Sequence, residues 1–183
     1  MTSQLKVDRI SPANGSEIII DGFEAGGAGS IIQVVSKEKR DTFSTNSQIP
    51  DFGGQYVPID GLTLSITPSS VDSKILISWM ISVSTSNDFS AQCNIVRDGT
   101  TIGVPSSGSA TGNACSFMIQ NRAADQIIPF SGSYLDYPSK TSEVQYSLGV
   151  ASTSTANTIL INGMTGVPPF KTISTITLME VAG

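Results

Sequence analysis

Hydrophobic and polar residues alternate along most of the chain beyond residue 30. In the clearest segment, 75–83, every second residue is Ile, Trp or Val. A period of two residues is typical of a β-strand that buries one face. No window shows the 3.6-residue apolar period of an amphipathic helix, so we expect an all-β chain. Further strands are predicted at 31–36, 62–66, 94–97, 100–103, 114–119, 126–136, 144–151, 158–162 and 172–180.

Turn-forming residues separate these strands and indicate the architecture. The Asp98-Gly99 pair predicts a tight hairpin between 94–97 and 100–103. About eight to ten short strands with such frequent turns are typical of a β-sandwich, here of the jelly-roll type. Trp79 lies on the apolar face of its segment, which predicts that it packs in the core. The strand order is left open by the sequence.

The first 29 residues have a different pattern, with isolated apolar positions followed by a glycine-rich stretch at 22–29. A hairpin formed from so few residues is marginally stable alone in water, so it needs a partner surface. We therefore predict two regions, an N-terminal anchoring arm with a glycine hinge (1–29) and a jelly-roll-like β-sandwich (30–183). The expected anchoring residues are Leu5, Val7, Ile10, Ile18, Ile19 and Ile20.

The composition limits the classes of partner. A net charge of −5 disfavours nucleic-acid binding, which depends mainly on Lys and Arg. The dense charge run Lys37–Asp41 nearly cancels in sign, and we expect it at a solvated strand end or turn. No apolar stretch reaches the roughly 20 residues that would cross a membrane, and no secretory signal precedes the strands. Charged residues form only 14% of the chain, which leaves few ionic barriers to self-association.

Candidate catalytic chemistry is scarce in this sequence. The absence of histidine excludes Ser-His-Asp and Cys-His catalysis and most zinc sites. Cys93 and Cys115 lack the spacing of a metal or redox motif, and whether they pair is left open. Asp125, Asp136 and Glu143 could supply two carboxylates for glycoside hydrolysis, but acidic residues near turns usually cap or solvate them. We therefore expect no enzyme activity, no cofactor and no metal site.

Two tyrosines are candidates for ligand binding. Tyr134 and Tyr137 lie near the end of a predicted strand and could form an exposed aromatic patch. Such a patch suits passive contact with a glycan, because an aromatic ring offers both an apolar body and a polar tip. A freestanding carbohydrate-binding module is therefore one candidate class, although it gives the N-terminal arm no role.

Several segments together carry a resemblance. They are Leu5–Ile10, Ile66–Ser70 with Ser73–Ile77, Val96–Thr100 with Ile102–Gly103, Ser133–Pro138 and Ser174–Glu180. In this order they resemble a family of bacteriophage virion proteins, described as tail-fibre-like, from phages of cyanobacteria and other marine bacteria. The resemblance implies a β-sandwich that forms trimers and carries no catalytic residues. The sequence has no long fibre shaft, which favours a short distal fibre or a capsid decoration protein.

The sequence thus predicts a structural subunit of a bacteriophage particle. We expect a homotrimeric short tail fibre or surface appendage that attaches to other virion proteins through residues 1–21 and contacts a host surface glycan. It would be assembled in the cytoplasm of the host bacterium and reside in the virion. A capsid decoration protein and a freestanding carbohydrate-binding module are the alternatives, and the receptor is left open.

Overall fold

The computed structural model describes residues 28–46, 56–86, 89–105, 115–121, 126–152, 156–164 and 170–183. These residues form β-strands joined by turns and no helix. The strands are β1 (Ile31–Lys39), β2 (Phe43–Thr45), β3 (Val57–Ile66), β4 (Lys74–Thr85), β5 (Phe89–Arg97), β6 (Thr100–Ile102), β7 (Phe117–Asn121), β8 (Ile128–Asp136), β9 (Val144–Ser152), β10 (Ile159–Ile161) and β11 (Ser174–Val181).

The strands form two antiparallel sheets. Sheet A contains β8, β4, β11 and β1 in this order, while β10 pairs with the last residues of β4 and β2 pairs with β10. Sheet B contains β3, β9 and β5 in order, and both β6 and β7 pair with β5. The orders β1-β11-β4-β8 and β3-β9-β5-β7 in facing sheets are those of a jelly roll. The expected all-β jelly-roll sandwich is therefore confirmed, whereas residues 1–27, which hold most of the predicted arm, lie outside the described residues.

Alternating residues of the facing strands form the core between the sheets. Ile75, Ile77 and Ile81 of β4 are fully buried, as are Tyr146 and Leu148 of β9. Burying an aliphatic side chain of this size stabilises a fold by about 1.5–3 kcal/mol relative to leaving it exposed. The two-residue period in the sequence of β4 is therefore the period of its burial.

Three stacked aromatic rings join the two sheets. Phe117 of sheet B stacks on Trp79 with ring centroids 5.0 Å apart, and on Phe130 with the same separation. Trp79 is buried, as its position in the sequence predicts. Gly132 lies against the indole, where a β-carbon would come within 2.5 Å of Trp79 Cζ2. Glycine is therefore the residue that fits at this position of β8 without displacing the tryptophan.

The predicted hairpin at Asp98-Gly99 is confirmed. Both residues have positive φ, 47° and 80°, which is the backbone geometry of a type I′ turn between β5 and β6. Asp98 also accepts hydrogen bonds from the Gln145 amide (2.9 Å) and from Lys140 Nζ (2.6 Å). The Lys140 ammonium and the Gln145 amide lower the pKa of the Asp98 carboxyl. The turn is thereby tied to the start of β9.

The connection from β1 to β3 departs from the sequence-based prediction at two points. Apart from Lys39, the charge run Lys37–Asp41 is exposed at the end of β1, as expected. Lys39 belongs to the charge run expected in solvent, but its side chain is only 1% exposed and pairs with Asp41 at 2.9 Å. Asn162 lies nearby and donates hydrogen bonds to the Lys39 carbonyl (2.8 Å) and the Asp41 carbonyl (3.2 Å). β2 follows this connection and is absent from the prediction, because three residues are too few to show a period.

Candidate interaction surface

The outer face of sheet A can be read from the cross-strand register. Residues directly opposite each other in antiparallel strands point to the same side of the sheet. On β4, Ile75 and Ile77 point into the core, so Leu76, Ser78 and Met80 point outward. Their partners on β8, β11 and β1 extend each position into a row that crosses four strands.

One of these rows is entirely apolar. It consists of Val34 of β1, Met179 of β11, Leu76 of β4 and Leu135 of β8. Val34 is 55% exposed, and the other three side chains are partly exposed. The outward positions of an antiparallel sheet with one solvated face are normally polar. The continuous apolar row is therefore a candidate surface for contact with another molecule.

Further exposed apolar groups lie beside this row, at the end of the sheet where β1 begins. Ile31 is 57% exposed and is paired with Val181 on the outer face. Near the other edge, the Tyr137 ring is 61% exposed, and Lys74 Nζ lies 5.8 Å from its centroid. We call the combined set the apolar surface, which comprises Ile31, Val34, Leu76, Leu135, Tyr137 and Met179.

On the side of the apolar row away from Ile31, the next row consists of hydroxyl side chains. It contains Ser36, Thr177, Ser78 and Ser133, one from each strand. The hydroxyl oxygens of Ser36 and Thr177 lie 2.9 Å apart and share a hydrogen bond. A hydroxyl both donates and accepts, so this row can pair with polar groups of either kind. Neither this hydroxyl row nor the apolar row beside it contains a charged residue.

A buried carboxylate supports the apolar surface from inside the sandwich. Glu180 of β11 is fully buried and accepts hydrogen bonds from Gln33 Nε2 (2.6 Å), the Ser69 amide (2.7 Å) and the Ser69 hydroxyl (2.6 Å). Burial by itself raises the pKa of a carboxyl group, but these donors, together with the Ser73 hydroxyl, lower the pKa of Glu180 to about 2. The ionised carboxylate therefore holds β1 and the Ser69 turn against β11.

The N-terminal part of the chain joins the sandwich next to the apolar surface. The Gly29 amide donates to the Ala182 carbonyl (2.9 Å), and the Ala182 amide donates to the Ser30 carbonyl (2.8 Å). These bonds continue the β1–β11 ladder to the point where the described residues begin. Residues 1–27 are thus connected to the sandwich beside Ile31. The predicted anchoring residues Leu5, Val7, Ile10, Ile18, Ile19 and Ile20 all lie outside the described residues.

The structure does not bring the two predicted tyrosines together. Tyr134 is opposite Ile77 on the inner side of sheet A, and it packs against the core and next to Gly103. Tyr137 follows the end of β8 on the outer side, beside Lys74. Of the two rings, Tyr137 is therefore the one on the apolar surface.

The candidate carboxylates Asp136 and Glu143 differ in their surroundings. Asp136 is buried and accepts hydrogen bonds from Arg97 Nη1 (2.9 and 3.0 Å) and the Tyr146 hydroxyl (2.6 Å). Burial, and then the bond to Asp136, raise the pKa of Tyr146. Glu143 is exposed, and Asp125 lies outside the described residues. Asp136 thus has the contacts of a structural residue that joins β5, β8 and β9.

The part of the chain that the structure describes contains no group of three or more Cys, Asp or Glu residues arranged to hold a metal ion. Cys93 is buried and Cys115 partly exposed, and both are free thiols. None of the described segments forms a helix long and apolar enough to cross a membrane.

Comparisons with known proteins give distant matches to solved structures. No protein-family model and no curated protein matches the sequence. Among solved structures, the EclA C-terminal domain, a sugar-binding protein, has a TM-score of 0.37 and 11% identity, over 88% of this chain and 99% of that one. The VP2 subviral particle of infectious bursal disease virus has a TM-score of 0.34 and 13% identity, over 91% of this chain and 42% of that one. These matches assign no family. At such values they support no transfer of function.

Leu135 belongs to segment 127–135, whose apolar residues on both faces predict an interface strand. The outward apolar residues of β1, β4 and β11 are the functional feature that the sequence reasoning missed. A signal for them exists in the consecutive apolar residues of predicted strands, such as Val34-Val35, Leu76-Ile77 and Leu178-Met179. An antiparallel strand with a solvated face would carry a polar residue at one position of each pair. These pairs indicate strands with apolar residues on both faces, but which of them share a row depends on the register.

Proposed function

We propose that this chain is a structural subunit of a bacteriophage particle, namely a homotrimeric short tail fibre or surface appendage. Residues 1–21 attach it to other virion proteins, and the sandwich forms the exposed body and contacts host surface glycans. The chain has no enzymatic role in this proposal. The observation that carries it is the apolar and hydroxyl outer face of sheet A, which has the chemistry of a protein–protein contact and lies beside the entry of the N-terminal segment.

The segment-by-segment resemblance to tail-fibre-like virion proteins supports the same proposal. An apolar segment linked by glycines to a stable body suits attachment by strand addition or apolar docking, where backbone hydrogen bonds supply much of the affinity. The glycines at 22–29 would let the body reorient relative to the particle.

The test is to delete residues 2–21 and to let phage particles assemble in host cells that supply only the shortened chain. We expect the shortened chain to fold, because the β1–β11 ladder and the core lie beyond the deletion. We also expect it to be absent from purified particles. Circular dichroism of the shortened protein checks the fold, and the full-length chain is the matched control. Incorporation of the shortened chain at the normal level would contradict attachment through this segment.

A capsid decoration protein is the second candidate, favoured by the same apolar surface of sheet A. Imaging of labelled particles separates the two roles. Many copies at the points of the capsid lattice would assign decoration, whereas a few copies at the tail would assign a short fibre. A protein that binds glycans but is absent from particles would instead be a freestanding carbohydrate-binding module.

A further inference from the structure

We infer that copies of this chain associate with one another through the outer face of sheet A, where the apolar surface and the hydroxyl row of each copy contact the apolar surface and the hydroxyl row of its neighbours. The inference rests on the proposed role as a structural subunit, and it identifies the surface that joins the copies.

The chemistry of the face suits an identical partner. The apolar row offers Val34, Met179, Leu76 and Leu135 in one line, and burying such a line against another apolar line removes both from water. The hydroxyl row beside it suits the hydroxyl row of another copy, because each hydroxyl can both donate a hydrogen bond and accept one.

The distribution of charge excludes strong repulsion at such a contact. Among the outward residues of the paired strands of sheet A, the charged ones are Lys74 at one end and Glu38 at the other. The apolar and hydroxyl rows lie between them and carry no charge. An acidic or basic partner would find no matching charges at the centre of this face, whereas a second copy presents none that need matching.

The position of the chain entry gives a second, independent argument. Gly29 and Ser30 pair with Ala182, so residues 1–27 join the sandwich beside Ile31, at the edge of the apolar surface. Copies that meet through this surface therefore bring their N-terminal segments close to the contact. Several segments then reach the same attachment point, which increases the effective concentration of each for its site.

The test is the mass of the full-length chain in solution, measured by sedimentation equilibrium for the wild type and three variants. Val34→Glu and Ser133→Glu place a carboxylate at opposite edges of the face, on exposed side chains of β1 and β8. Met118→Glu is the matched control, because Met118 is 53% exposed against 55% for Val34 but lies on β7 of sheet B.

We expect the wild type to sediment at a multiple of its 19.1 kDa mass. Val34→Glu and Ser133→Glu should each raise the dissociation constant about 100-fold, because the contact would bury a carboxylate that has no partner of opposite charge there. Met118→Glu should keep the wild-type mass, and all three variants should keep the circular dichroism spectrum of the folded wild type, since the substituted positions are exposed.

Three outcomes would overturn the inference. They are a monomeric wild type, an unchanged mass of both Val34→Glu and Ser133→Glu, and dissociation caused equally by Met118→Glu. If association is lost only when residues 2–21 are deleted, the contact belongs to that segment instead. Absence of the chain from particles contradicts the proposed function alone, because association of the purified protein is measured without particles.

Discussion

Glu180 shows how a single carboxylate is accommodated inside an apolar sandwich. The donors around it are the side-chain amide of Gln33 and the backbone amide and hydroxyl of Ser69, all of them neutral. A buried charge without enough hydrogen bonds would be costly, and these short contacts offset that cost. The sequence shows Glu180 only as a polar residue near the end of an apolar strand. Its partners come from distant segments, so its burial could not be predicted.

The hydrogen bonds to Glu180 predict a specific acid dependence of stability. The pKa in the folded protein, about 2, lies below the ordinary value of 4.5. Glu180 therefore contributes stability that is fully present above about pH 4.5 and is lost as the pH falls toward 2. Glu180→Gln should lower the free energy of unfolding at pH 7 by about 1–3 kcal/mol and remove this part of the acid dependence.

Urea unfolding at pH 7 and at pH 3 measures both effects. Glu143→Gln is the control, because it removes an exposed glutamate of the same type. If the stability of Glu180→Gln fell with pH as much as that of the wild type, the ionised Glu180 would not be a source of this acid dependence.

At the scale of elements, the sequence predicts the strands in which hydrophobic and polar residues alternate. It does not predict the apolar row on the outer face of sheet A. The register of β4 follows from Ile75, Ile77 and Trp79, because a slip by one residue would expose all of them. The hairpin at Asp98-Gly99 follows from backbone preferences alone. The row through Val34 and Met179 depends instead on the pairing of strands from opposite ends of the chain, which no local pattern encodes.

The contact of β8 with β4 predicts that Gly132 cannot be replaced without cost. Gly132→Ala places a β-carbon within 2.5 Å of Trp79 Cζ2, so the indole must move and the ring stack with Phe117 must shift. We expect the free energy of unfolding to fall by about 1–3 kcal/mol.

Fluorescence of Trp79, the only tryptophan of the chain, reports both the shift and the unfolding transition. Ser133→Ala, the next residue on the outer face, should change the stability by less than about 0.5 kcal/mol. Equal stability of Gly132→Ala and the wild type would show that the ring stack yields without strain.

At the scale of the whole molecule, the two outer faces of the sandwich differ. On β5 of sheet B, the outward side chains of Gln92 and Asn94 are buried, because Tyr56 donates to Gln92 (3.3 Å) and the Ser116 amide donates to Asn94 (2.7 Å). The chain thus covers part of this face with its own polar contacts. The apolar surface of sheet A has no such cover among the described residues, which agrees with its proposed role in association.

Association through sheet A predicts that thermal stability depends on protein concentration. A contact that only the folded chain can make shifts the folding equilibrium by mass action. The Tm of the wild type should therefore rise with concentration, whereas the Tm of Val34→Glu should stay nearly constant. Calorimetry over a hundredfold range of concentration checks this, and a wild-type Tm that does not change would contradict it.

The pairing of β1 with β11 also has a mechanical consequence. A pull on the chain ahead of Gly29, directed along the axis of β1, loads its ladder with β11 in shear. Antiparallel hydrogen bonds run perpendicular to the strands, so such a force is shared among the eight paired positions rather than opening them one by one. A sandwich that is attached through its N-terminal end therefore loads the β1–β11 ladder in shear, the direction in which the ladder best resists separation.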